Sequence, residues 1–374
     1  MNSEDSDKYD IEIDPTTEDI HDLFHDEDKL DVIREIEEGY TEQDKKRTKS
    51  PRYSFYSPKK TATTSSPGKT RYLHFPSHIG LVNQGNSCYI NAVMQIFLQS
   101  PELFSILERC YVEDPTKLGE KTLTDELTWT AFLVNIQKEY ASFAGIDIND
   151  QCDSYLFFAW LLDAINEKLM SCVKKEQHGS KWWLNRFREC MHFQRKVVYT
   201  CLECNAKEKG PDATDILLSL YCNENPDTPC QVFDLTDLYN LQYGKVEIER
   251  KCTGCQYTKC IRNEGRCHAP SHLFFSINAQ HASLHIPEMM DLYTKMTYIL
   301  KGFIVHKGSS SNYGHYMIYT YHEEEDAWYC YDDDEVTRVW AIETKLQGNV
   351  GRFTSLKLVW YVKQSPFDED IDSS

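Results

Sequence analysis

The stretch GLVNQGNSCYINAVMQIFLQ, residues 80–99, sets a cysteine between a glycine-broken loop and an apolar run with helical spacing. Ile90, Val93, Met94, Phe97 and Leu98 fall at i, i+3, i+4, i+7 and i+8, so one face of a helix starting near Cys88 is predicted to be core. Cys88 then lies in the first turn. Most free cysteines are small buried hydrophobes, and this chain has 14 cysteines. The mouth of a helix is a different setting, because its unpaired N–H groups and positive dipole end favour thiolate over thiol. Gly80 and Gly85 permit a tight approach that presents such a side chain. A purely structural cysteine needs none of this.

A nucleophilic thiol needs a base, a group that orients the base, and donors for the oxyanion. Of the 13 histidines, one has a matching context. In GFIVHKGSSSNYGHYMIYTY, residues 302–321, two strand-like runs flank the Gly/Ser loop from Lys307 to Tyr313, and His315 opens the second run. Taken alone, it reads as an ordinary strand histidine. Downstream, AWYCYDDDEVTRVW, residues 327–340, predicts an aromatic strand from Trp328 to Tyr331 that runs into a turn at Asp332, Asp333 and Asp334. An acidic triplet is normally just a solvated turn. On a strand paired with the one that starts at His315, its first carboxylate reaches the imidazole and selects its tautomer.

Together these segments resemble the ubiquitin-specific protease family, the papain-like ubiquitin carboxyl-terminal hydrolases. GLVNQGNSCYINAVMQ resembles the family's cysteine box, and YGHYMIYTY followed by WYCYDDDEV resembles its histidine box. QCDSYLFFAWLLDAI, residues 151–165, is similar to its glutamine-aspartate helix, and the resemblance spans about residues 78–363. It implies that Cys88 is the nucleophile, His315 the general base and acid, and Asp332 the orienting carboxylate. Asn83 becomes the oxyanion-hole side chain and Asp333 a supporting acid. Gly308, Ser309, Ser310, Gly314 and Tyr316 are then expected along the channel for the Gly-Gly end of ubiquitin. The chain departs from the family at Leu156, where glutamate is usual, at Ser87 for threonine, and in HAPSHLFFSIN, residues 268–278, a blurred form of the family's Leu-Pro strand. None of these touches the expected triad.

CLEC, with Cys201 and Cys204, and CTGC, with Cys252 and Cys255, form a CxxC…CxxC pattern. Each CxxC turn presents two thiolates on one side of a knuckle, and two knuckles complete a tetrahedral sulfur shell for zinc. The alternatives are a redox CxxC or four unconnected thiols. FQRKVVYTC and YGKVEIERKC read as alternating strands, so the insert is expected to be an extended β hairpin clipped at its tip. Cys260 and Cys267 follow closely and compete as ligands. The resemblance implies one structural zinc ion, no catalytic metal, and fingers that grip the body of ubiquitin.

Helical patterns dominate residues 88–190 and strand patterns residues 193–362, which argues for α+β with antiparallel sheet. The family version is a papain-like cysteine protease fold with a helical thumb, an antiparallel β palm and zinc-clipped β fingers. Residues 1–50 hold 18 acidic and 7 basic side chains, whereas Lys45 to Arg71 holds nine basic and no acidic ones. Residues 1–77 are therefore expected to be a disordered region, acidic then basic. The catalytic domain follows at 78–363 and an acidic tail at 364–374. KKRTKSPR, residues 45–52, reads as a nuclear import signal or a solvated linker, and Pro51, Pro58 and Pro67 each follow a serine, as in proline-directed phosphorylation sites. Residues 16–40 carry apolar side chains at loosely helical spacing, which suits a helix for a regulatory partner or a merely solvated one.

The acidic N-terminus lacks the apolar core of a signal peptide, and the longest apolar run, LFFAWLL, has seven residues, too few to span a membrane. A soluble protein of a reducing compartment, nuclear and/or cytoplasmic, is expected. Residues 72–374 hold 28 basic and 41 acidic side chains, and this net negative charge disfavours nucleic acid as substrate and suits the Arg-containing tail of ubiquitin. The expected function is that of a monomeric deubiquitinating cysteine protease acting on ubiquitinated proteins. Its rivals are a ubiquitin-binding module with weak turnover and a protease for another ubiquitin-like modifier.

Overall fold

The computed structural model describes residues 78–111, 126–177, 179–221, 232–264, 268–278, 283–292, 296–310, 313–340, 342 and 354–364. The expectations for residues 1–77 and for the tail after Gln364, and Cys267 as a ligand, lie outside the described residues. Helices come first: α1 (Cys88–Leu98), α2 (Pro101–Tyr111), α3 (Glu126–Ala144), α4 (Ser154–Lys174) and α5 (Ser180–Met191). The spacing in α1 predicts one apolar face, yet all eleven of its residues are buried. Its polar side chains make this possible by bonding the chain that leads into it. Asn91 Nδ2 donates to Leu81 O at 3.0 Å and Gln95 Nε2 to Ile79 O at 2.8 Å, so burial leaves neither amide unpaired. α4 begins on Asp153, whose carboxylate accepts from Tyr155 N at 2.8 Å as an N-cap. Among the described residues, no helix is long and apolar enough to cross a membrane.

The strands follow in chain order: β1 (Phe193–Cys201), β2 (Lys207–Asp215), β3 (Leu218–Tyr221) and β4 (Val232–Asp234), then α6 (Leu235–Tyr243) and β5 (Val246–Glu249). Next come β6 (Lys259–Glu264), β7 (His272–Asn278), β8 (Ser283–His285), β9 (Met289–Leu292), β10 (Met296–Ser310) and β11 (Tyr313–His322). β12 (Ala327–Asp332), β13 (Glu335–Val339) and β14 (Thr354–Lys363) complete the set. The palm sheet has the order β13-β12-β11-β10-β14-β7-β3, with β9 pairing the start of β10. It is antiparallel except where β3 joins β7 in parallel. Both of those strands reach the palm from the same finger sheet, so both run the same way. β4 and β8 form a second parallel pair.

The fingers differ from a single hairpin. They form a four-stranded sheet, β2-β1-β6-β5, made of two hairpins joined along β1 and β6. An isolated pair of strands is marginal in water, and pairing Cys201 with Cys260 across the join gives each hairpin a neighbour. The segment between the CxxC pairs also leaves the fingers. It adds β3 to the palm and forms α6, a helix inside the strand-rich half that the pattern reading did not separate. Asp234 caps α6 by accepting from Thr236 N at 2.8 Å, and Tyr243 Oη donates to Ser219 O at 2.9 Å on β3.

Thumb and palm meet through aromatic packing. Phe158 of α4 meets Phe274 of β7 edge-on at 4.8 Å, and Phe274 stacks on Trp360 of β14 at 6.0 Å. Phe274 is fully buried, so Phe274→Ala is expected to cost about 3–5 kcal/mol of stability. Denaturant titration with an unchanged slope checks this.

Candidate active site

Cys88 opens α1 and is 3% exposed. The loop before it is organised by Asn83, whose Oδ1 accepts from Gly85 N at 2.9 Å, Ser87 N at 3.1 Å and Ser87 Oγ at 3.2 Å. Gly85 and Asn86 take positive φ values of 107° and 50°, which turn the chain sharply into the helix. Across the cleft, β11 and β12 pair from Ile318–Tyr331 to His322–Ala327, so Asp332 leaves the ladder beside the end of β11 that carries His315. His315 Nε2 contacts Asp332 Oδ1. With Nε2 engaged there, Nδ1 is the nitrogen left for the Cys88 thiol.

The bond from Cys88 and then the one from Asp332 hold a proton on His315, against the opposing effect of desolvation, and raise its pKa to about 9. Asp333 is placed differently from Asp332. Its Oδ2 is 3.9 Å from His315 Nε2, beyond hydrogen-bond range. Instead Oδ1 accepts from Asn91 Nδ2 at 2.8 Å, Oδ2 from Asn83 Nδ2 at 2.9 Å, and its backbone carbonyl from Leu81 N at 2.8 Å. Burial pushes the Asp333 carboxyl above its usual range despite these donors.

Gly308 and Gly314 face each other across β10 and β11. Gly314 has φ 154°, and a Cβ there would lie 2.3 Å from Lys307 O and 2.5 Å from His306 Nε2. Ser309 and Ser310 end β10. Tyr316 is 1% exposed and packs 4.4 Å from the His306 ring, so it backs the glycine pair from inside. His306 is buried with Nε2 unpartnered, and desolvation lowers its pKa to about 4.

Gln151 lies just before α4, at the start of the segment similar to the glutamine-aspartate helix. Its Nε2 is 3.6 Å from Cys88 Sγ and 2.9 Å from Gly314 O, while its Oε1 accepts from Gly314 N at 3.2 Å. The position of a side chain across a cleft leaves no mark in local periodicity. The resemblance to the glutamine-aspartate helix was the available signal.

At the far end of the fingers, Cys201, Cys204, Cys252 and Cys255 bring their sulfurs within 4.8 Å of one another. Cys201 Sγ lies 3.5 Å from Cys255 Sγ, and Cys204 Sγ 3.7 Å from Cys252 Sγ. Tetrahedral zinc with Zn–S bonds near 2.3 Å sets sulfurs about 3.8 Å apart, so these four could hold such an ion. The backbone N–H of Cys204 pulls the Cys201 thiol down to about 7. Cys260 packs beside Cys201 and Cys252 but is outside the four-sulfur group, its thiol donating to Arg250 O at 3.3 Å.

A family model described as ubiquitin carboxyl-terminal hydrolase matches residues 79–349. Among human proteins, the chain is similar to inactive ubiquitin carboxyl-terminal hydrolase 17-like protein 8, at 25% identity covering 69% of this chain and 52% of that protein. It is likewise similar to human ubiquitin carboxyl-terminal hydrolase 17-like protein 15, at 26% identity covering 69% and 50%. The chain thus spans about half the length of these curated relatives. Among solved structures, the SAGA Ubp8/Sgf11/Sus1/Sgf73 DUB module bound to ubiquitin aldehyde has a TM-score of 0.57 at 16% identity, covering 77% of this chain and 70% of that one. A yeast SAGA DUB module has a TM-score of 0.55 at 17% identity, covering 77% and 68%. At such identities the likeness concerns the fold.

Because the folded pKa of His315 lies above the ordinary 6.5, its contribution to stability is complete below that value and is lost as pH rises through about 9. NMR of the imidazole is expected to show a midpoint near 9. Asp332→Asn removes one group that holds the proton and moves the midpoint down, whereas Asp334→Asn leaves it in place.

Proposed function

The chain belongs to the ubiquitin carboxyl-terminal hydrolase family, and from that premise we propose that it is a deubiquitinating cysteine protease. It hydrolyses the (iso)peptide bond after the C-terminal glycine of ubiquitin. The observation that carries this reading is His315 held between Asp332 and the thiol that heads α1.

Cys88 thiolate attacks the glycine carbonyl carbon, and the π pair moves onto oxygen. Helix N–H groups near Cys88 and the second N–H of Asn83 hold that oxyanion, one such donor being worth on the order of 10²–10³ in rate. The carbonyl re-forms as the C–N bond breaks, and His315 gives its proton to the leaving lysine amine. His315 then takes a proton from the water that attacks the thioester, and thiolate departs. The raised pKa of His315 supports an imidazolium at neutral pH, the form that gives its proton to the leaving amine. The channel for the Gly-Gly end would run past Gly308, Ser309, Ser310 and Gly314, where the strands leave no room for a side chain at Gly308 or Gly314.

The partners in this reading are ubiquitin and ubiquitinated proteins, with any regulator engaging residues 1–77. The net negative charge supports a protein substrate with a basic tail over nucleic acid. A nuclear and/or cytoplasmic location follows the sequence reading of the basic stretch and the thiol chemistry. The four finger cysteines would hold one structural zinc ion, a closed sulfur shell with no position for a reacting water. Such an ion typically contributes roughly 10–16 kcal/mol to organising a small site.

A ubiquitin probe with a C-terminal electrophile tests the activity directly. It is expected to label Cys88, and Cys88→Ala should lose labelling and turnover while still binding ubiquitin. Binding without labelling of the unaltered protein would favour the binding-module reading, and faster labelling by another modifier's probe would reassign the substrate. Elemental analysis should find one zinc per chain. Cys252→Ser should lower zinc content, ubiquitin affinity and thermal midpoint, without changing which residue the probe labels; active protein free of zinc would refute the metal assignment.

A further inference from the structure

Gln151 precedes α4, and three contacts fix its amide. Oε1 accepts from Gly314 N at 3.2 Å, Nε2 donates to Gly314 O at 2.9 Å, and the same nitrogen lies 3.6 Å from Cys88 Sγ. A primary amide nitrogen carries two N–H groups. One is engaged by the Gly314 carbonyl, which leaves the other for the sulfur side. The support is stiff, because Gly314 sits at φ 154° where an added Cβ would lie 2.3 Å from Lys307 O and 2.5 Å from His306 Nε2. The amide is therefore oriented before any substrate arrives, the condition under which a donor aimed at developing charge is most effective.

We infer that Gln151 is a second side-chain donor to the oxyanion formed at Cys88, an inference that rests on the deubiquitinase reading. When Sγ bonds to the carbonyl carbon, the displaced electron pair comes to rest on an oxygen two bonds from that sulfur. A nitrogen held 3.6 Å from Sγ is within reach of it. Asn83 alone offers less than its amide suggests. Its Nδ2 already donates to Asp333 Oδ2 at 2.9 Å, and its Oδ1 accepts three bonds within its own loop. Each amide is anchored by a residue of the palm, Asn83 by Asp333 and Gln151 by Gly314. The two together supply a donor pair from separate segments of the thumb.

The test compares two reactions of the same thiol in the full chain. Hydrolysis of a ubiquitin C-terminal fluorogenic amide passes through an oxyanion, whereas alkylation of Cys88 by iodoacetamide does not. Gln151→Met keeps the length and removes the donor; Gln151→Glu also removes it but keeps an acceptor for Gly314 N. Both are expected to lower kcat by about 10², with KM within a few-fold and the alkylation rate of Gln151→Met unchanged. An intact alkylation rate also shows that the Cys88–His315 pair has folded.

Three outcomes would overturn the inference: kcat near that of the unaltered protein, a loss of alkylation in step with kcat, or a change confined to KM. The second would place Gln151 on the thiol–imidazole pair, and the third on the channel wall. The parent reading fails separately. In that case the unaltered protein neither turns over the substrate nor takes the ubiquitin probe.

Discussion

One largely shielded carboxylate joins the two halves of the site. Asp333 sits at φ 54° in the turn after β12 and accepts from Asn83 and Asn91, while its carbonyl accepts from Leu81 N. The loop before Cys88, the helix that opens on it and the turn that follows Asp332 thus converge on a single residue. The approach is so close that a Cβ on Gly80 would lie 2.4 Å from Asp334 O. Chain on one side of the cleft is therefore registered to chain on the other by hydrogen bonds and by contact. That registration supports the relation between Cys88 and His315 alongside the direct packing of α1 against β11.

Division of labour between adjacent acids follows from exposure. Asp332 is 42% exposed along its side chain and faces the imidazole, whereas Asp333 is 11% exposed and is surrounded by amide donors. A carboxylate that accepts from two asparagines is held in place and contributes field more than it exchanges protons. The partly exposed pair of Asp332 and His315 orients more than it stabilises.

Much of this was legible in residue order because the relevant signals are local. The start of α1 at Cys88 and the acidic turn beside β12 follow from apolar spacing and turn chemistry, and so do the two strands around the Gly/Ser segment, although β10 runs through Ser310 and β11 starts at Tyr313, so most of the loop expected from Lys307 to Tyr313 is strand. The CxxC knuckles are equally local. What sequence could not show is pairing between distant segments. Nothing in FQRKVVYTC says that β1 lies beside β6 as well as β2, and nothing in LTDLYNLQY distinguishes a short helix from another strand when its apolar residues suit both. Gln151 and His306 acquire meaning from what lies across a gap or beneath a glycine. The full burial of α1 was hidden for the same reason, since Asn91 and Gln95 look solvent-facing until the segment that leads into the helix folds back over them.

The route of the chain through the fingers has a mechanical consequence. It enters the finger sheet in β1, leaves from β2 into β3, returns in β5 and leaves again from β6 toward β7. A hinge works when a few residues absorb a rotation. Here four separate crossings would have to turn in concert, so the sheet is mounted like a cantilever welded at its root. Its softest motion is a bend along the strands that grows toward the sulfur cluster, so the tip, rather than the root, yields first to an applied load.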